Sequence, residues 1–151
     1  MLLQTTPNKW SCLPTSFAMV TNTPLEEIIK ELGHDGSEIL WPNLEEPFCY
    51  RSFHIQELIS ILFYSGILVV EFQVWPVSAP QFPNITNNII HFPEGNEQRI
   101  YDIMHQGKGV VKGEFRNKPH AAAWDGNQIF DPGGFTYNLD QFNIMSYYHI
   151  E

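Results

Sequence analysis

The sequence is poor in cysteine, in charge and in long apolar runs, and each shortage excludes something. Two cysteines, Cys12 and Cys49, cannot build the disulfide framework of a small secreted scaffold. The longest strongly apolar stretch, Leu58 to Val70, is thirteen residues with a glycine inside, too short to span a bilayer. Lys and Arg number 8 against 17 Asp and Glu, and they form no cluster. An electrostatic grip on nucleic acid or on an anionic membrane is therefore not expected. There is no Cys-x-x-Cys and no His-x-x-x-His, so neither a metal nor another cofactor is expected. Gly107-Lys108-Gly109 lacks phosphate-loop spacing and reads as a turn. Met1-Leu2-Leu3-Gln4 has no basic start and no apolar run behind it, so no signal peptide is read. The expectation is a cytoplasmic protein with reduced thiols.

What is present fits one domain over residues 1–151. The chain is 43% apolar, enough for a sizeable core. Asn8 to Trp10 make a polar approach to Cys12, and Leu13-Pro14-Thr15-Ser16-Phe17 follow at once. Pro14 suits the first turn of a helix, where its missing N–H costs nothing. Cys12 is thus placed at a helix N-terminus, where free N–H groups and the helix dipole favour a thiolate. Thr23-Pro24-Leu25-Glu26 reads as a capping box opening a second helix that Gly33 stops. A third helix spans about Phe53 to Tyr64 with Ser52 as N-cap, and a fourth about Asn96 to Gln106. Strands are expected over Ile67–Trp75, Gly109–Phe115, His120–Trp124 and Asn127–Asp131, with one more inside Phe135–Ile150. Helices first and strands last argue an α+β fold: a helical layer packed on an antiparallel sheet, with a cleft between them.

Asp125-Gly126 is a hairpin signal. A two-residue loop would set His120 directly opposite Asp131, on one side of the sheet. A four-residue loop, Asp125 to Gln128, would make that pair diagonal and still within reach. The carboxylate would fix the imidazole and favour its charged form. Ala122, beside His120, leaves room for a ligand or a facing helix.

A cysteine opening an early helix, with histidine and aspartate on late adjacent strands, resembles papain-like cysteine peptidases. The compact bacteriocin-processing peptidases that cut double-glycine leaders, and their peptidase-like relatives, are the most similar in layout. Gln4 resembles the family's oxyanion-hole glutamine, Cys12 its nucleophile, His120 its base and Asp131, in Ile129-Phe130-Asp131-Pro132, its orienting residue. Ile103 to Phe115 is similar to the segment leading to the histidine strand, and Asn138 to Phe142 to the short element near the end. Leu13, Ala121 and Ser11 depart from the leader-peptidase pattern, so the leader substrate is not carried over.

The resemblance implies a thiolate–imidazolium pair acting on an amide through an acyl-enzyme. A peptide or protein is then the expected partner. The same apparatus serves glutamine deamidation or acyl transfer, and a non-catalytic binding module is the alternative of a different class. Loops 34–52 and 76–95 are the expected cleft walls, with Trp10, Trp41 and Trp75 as substrate contacts and Phe48 beside them. Cys49 reads as structural.

Overall fold

A computed structural model of the chain describes residues 1–73 and 96–151. The helices are α1 (Cys12–Thr21), α2 (Leu25–Leu32), α3 (Ile55–Tyr64) and α4 (Asn96–Gln106). The strands are β1 (Val69–Gln73), β2 (Lys108–Phe115), β3 (Lys118–Trp124), β4 (Ile129–Asp131), β5 (Phe135–Tyr137) and β6 (Phe142–Ile150). The architecture is α+β, with one antiparallel sheet in the order β1-β6-β2-β3-β4-β5. The last strand thus lies inside the sheet, between the first two. At β2–β6 the register shifts between Lys112 and Gly113. Gly113 is needed there, because a Cβ would run into the Asn143 carbonyl.

Alternation along the strands divides the core in two. Val110, Ala121, Ala123, Tyr148 and Ile150 point to one face, where Phe17, Ala18, Met19, Val20, Ile28, Leu58 and Leu62 of α1, α2 and α3 cover them. Val111, Ala122, Trp124, Ile129 and Tyr147 point to the other, against Ile100 and Met104 of α4. The expected N-terminal helical layer is present, and α4 covers the opposite face of the sheet as well. The Trp124 indole N–H donates to the Met104 carbonyl over 2.7 Å, fastening α4 to its face. The space beside Ala122 is taken by α4, not left for a ligand. The α1–sheet interface is a filled core rather than a cleft.

Every residue of α1 from Leu13 to Val20 is buried. Its two interior hydroxyls are satisfied within the helix: Thr15 donates to the Ser11 carbonyl and Ser16 to the Cys12 carbonyl, both at 2.7 Å. Fully burying a side chain such as Phe17 contributes roughly 1.5–3 kcal/mol. A helix buried along almost its whole length fixes the position of its first residue, Cys12.

Helix α2 ends as expected, with Gly33 in the left-handed region at φ 76°. Its start differs. No Thr23 side-chain cap forms and Pro24 is the N-cap. The acceptor for the Leu25 N–H is instead the side-chain carbonyl of Gln4, at 3.0 Å. Helix α3 begins later than expected, at Ile55, because Ser52 takes φ 57° and the Glu57 carboxylate captures the His54 N–H at 3.0 Å.

Candidate active site

Helix α1 packs on β3, and this brings Cys12, at the helix start, to His120 near the start of the strand. The Cys12 side chain stands near enough to the His120 ring to help hold the ring's proton. His120 Nε2 lies 2.8 Å from Asp131 Oδ2. With Nε2 so occupied, Nδ1 is the ring nitrogen left for the sulfur. Cys12 keeps partial exposure, the His120 side chain is 21% exposed, and Asp131 is buried.

The β3–β4 connection is the four-residue loop. Asp125 spends its carboxylate on the turn, accepting from the N–H groups of Asn127 and Gln128 at 2.8 Å each. Two N–H donors captured by one Asp oxygen hold the wider loop against the tight two-residue turn. Pairing then runs Ala123 with Phe130 and Trp124 with Ile129. His120 meets Asp131 on the diagonal, two positions off direct opposition.

Asp131 accepts from three donors. Oδ2 receives His120 and the Tyr137 hydroxyl, both at 2.8 Å, and Oδ1 receives the Gly133 N–H at 2.7 Å. Burial opposes its charge, but the hydrogen bonds from His120, Gly133 and Tyr137 outweigh burial and hold the carboxyl below its usual value. For His120, burial likewise opposes the charge. The hydrogen bond to Asp131, the neighbouring Cys12 side chain and the attraction of both overcome it and lift the ring to about 9. A ring protonated at neutral pH has a donor on both nitrogens; Nε2 gives its to the carboxylate, and Nδ1 keeps one for a partner on the Cys12 side.

Tyr137, Phe115 and Phe142 complete the setting, and sequence reasoning missed all three. Phe115 stacks on Tyr137 with centroids 4.4 Å apart, and stands 5.9 Å from the His120 ring. Phe142, paired with Phe115 across β2 and β6, lies 6.3 Å from that ring. A signal for Tyr137 existed: Pro132-Gly133-Gly134 is a turn, and folding the chain there returns Tyr137 along Asp131.

Gln4 is not at this site. Its amide nitrogen donates to the Thr23 carbonyl at 2.8 Å while its oxygen caps α2. Thr23 lies beyond the far end of α1, and a helix of that length puts it roughly 15 Å from Cys12. The expected oxyanion role for Gln4 is therefore corrected to a cap. The donors at the site itself are the backbone N–H groups that open α1, at Cys12 and Leu13, which have no intrahelical acceptor. Pro14 contributes none.

Of the expected substrate contacts, Trp41 is 47% exposed and Phe48 59%. Trp10 is committed to the protein instead. Its indole N–H donates to the Asp35 carbonyl at 2.9 Å, and its ring lies 4.2 Å from that of Tyr50. Trp75 and the loop 76–95 lie outside the described residues. Cys49 is buried. His34 and Arg51 both meet Glu57, at 3.2 and 3.3 Å, which fastens the 34–52 loop to the first turn of α3. Among the described residues no group of three or more His, Cys, Asp or Glu could hold a metal, and no helix is long and apolar enough to cross a membrane. Compared with protein-family models, with curated proteins and with solved structures, the chain has no significant match in any of the three.

Proposed function

We propose that this protein is a cysteine-dependent peptidase or amidase with a papain-like arrangement, in which Cys12 is the nucleophile, His120 the acid and base, and Asp131 the orienting group. One observation carries the reading: a cysteine at the start of a buried helix stands beside a histidine whose Nε2 is held by a buried, fully satisfied carboxylate.

The Cys12 thiolate attacks an amide carbonyl carbon and the S–C bond forms. The Cys12 and Leu13 N–H groups stabilise the oxyanion. The C–N bond breaks as His120 gives its Nδ1 proton to the leaving amine. Water then yields a proton to Nδ1 and adds to the thioester, and the acid leaves with the thiolate–imidazolium pair restored. Asp131 stays ionised throughout and keeps Nδ1 turned to the sulfur.

The test uses iodoacetamide near neutral pH on the whole chain. Cys12 should be alkylated many times faster than free cysteine, and His120→Ala should remove the excess. A Cys12 rate equal to that of free cysteine would remove the catalytic reading and leave a binding module. A covalent acyl adduct on Cys12, found by mass spectrometry after exposure to a peptide library, would identify the substrate.

A further inference from the structure

Residues 36–52 form an arm with its own internal ties. The Leu40 and Trp41 N–H groups both donate to the Cys49 carbonyl, Arg51 to Glu38 and Ser52 to Gly36. Two turns close the tip, Leu44 bonding back to Trp41 and Phe48 back to Glu45. The base is fastened to Trp10 by the Asp35 carbonyl, by the Tyr50 ring and by the Ser52 hydroxyl, which donates to the Trp10 carbonyl at 3.0 Å. Trp10 precedes Cys12 by two residues, at most ~7 Å of chain. The base of the arm is therefore anchored close to the nucleophile in the chain.

Its outer surface is apolar. Ile39, Leu40, Trp41, Leu44 and Phe48 are 59%, 43%, 47%, 52% and 59% exposed. A connection between α2 and α3 gains nothing from showing five large apolar side chains to water, and a patch of this kind marks an interaction surface. Among them stand the exposed carboxylates of Glu38, Glu45 and Glu46. The single basic side chain of the arm, Arg51, is held by Glu38 and Glu57.

We infer that residues 36–52 are the substrate-recognition arm of the Cys12 site, and that the segment they take is apolar with lysine or arginine on its flanks. The inference rests on the reading of Cys12 as nucleophile. The apolar side chains supply affinity, the carboxylates select the charge, and the ties within the arm lower the ordering cost of binding. A second copy of this chain fits the surface less well, because a symmetric contact would bring like-charged carboxylates together.

The test measures binding to full-length Cys12→Ala, so that no turnover is needed. Three fluorescein-labelled peptides are titrated by anisotropy: an apolar pentapeptide with Lys flanks, the same with Glu flanks, and a Ser/Gln pentapeptide with Lys flanks. The Lys-flanked apolar peptide should bind at least tenfold more tightly than either other. Trp41→Ala with Phe48→Ala should remove most of that binding, and Glu45→Lys should cut the preference for Lys flanks severalfold. Leu44→Ser repeats the apolar test if the double variant loses its circular-dichroism spectrum. Equal binding of all three peptides, or binding indifferent to these substitutions, would overturn the inference. So would dimerisation abolished by the arm substitutions, since a second copy would then cover the face. Rapid alkylation of wild-type Cys12 alongside any of these failures would sink the arm and leave the nucleophile standing.

Discussion

His120 and Asp131 meet on a diagonal of the β3–β4 pair, 2.8 Å apart, because Asp125 holds the connecting loop two residues wider than the tightest turn. The contact that raises the imidazole is thus set by a second aspartate whose own carboxylate never touches the ring. Replacing Asp125 by Ala should loosen the loop and slow Cys12 alkylation, with the chain still folded by circular dichroism.

Cys12→Ala should abolish turnover of any substrate found by the adduct screen, by a factor on the order of 10⁴ or more. Melting temperature should change little, since Cys12 stands at the edge of the core. Turnover left intact in the purified variant would rule out the covalent scheme.

Gln4→Ala separates two roles. A capping amide costs about 1 kcal/mol when lost, which for a chain of this length lowers the melting temperature by about 2–4 °C. The alkylation rate of Cys12 should stay at its wild-type value. An unchanged melting point with slowed alkylation would place the amide back at the thiol.

The pH dependence of stability follows from two opposite shifts. The His120 ring is raised from 6.5 to about 9, so its contribution is fully present below about 6.5 and is lost as pH rises through about 9. Asp131 is lowered, so its contribution is present above the ordinary carboxylate value and is lost as pH falls through its depressed one. Thermal melts across pH should show an alkaline decline between those limits. Asp131→Asn should flatten it, because the ring loses the partner that raises it.

Tyr137→Phe removes one of three donors to Asp131 and leaves the ring stack on Phe115 in place. The loss should cost about 1–2 kcal/mol. Acid unfolding should begin at higher pH than in the wild type, because the carboxyl is then less depressed. Melting curves at pH 3 to 6 check this.

Local signals carried the parts that depend on neighbours in the chain. Pro14 in a first turn, Gly33 in a left-handed cap and the bounds of α4 were legible because each rests on a few adjacent residues. Asp125-Gly126 announced the hairpin that brings His120 to Asp131, though the loop's width depended on what the Asp125 side chain does. Distant choices were not legible. Gln4 has an amide that serves equally as oxyanion donor or as helix cap, and only tertiary packing decides which. The side of the sheet taken by α4 depends on the parity of Val110 and Val111. That parity in turn depends on a strand order in which β6 enters beside β2, and no short-range pattern encodes it.

The place of Phe142–Ile150 between β1 and β2 has a consequence for biosynthesis. The strand that seats between β1 and β2 is synthesised more than a hundred residues after the thiol. Until then β2 lacks its second neighbour in the sheet, and Phe142 is not yet in place near the imidazole. A nascent chain stopped short of that strand would carry the Cys12 thiol with the sheet behind it still incomplete.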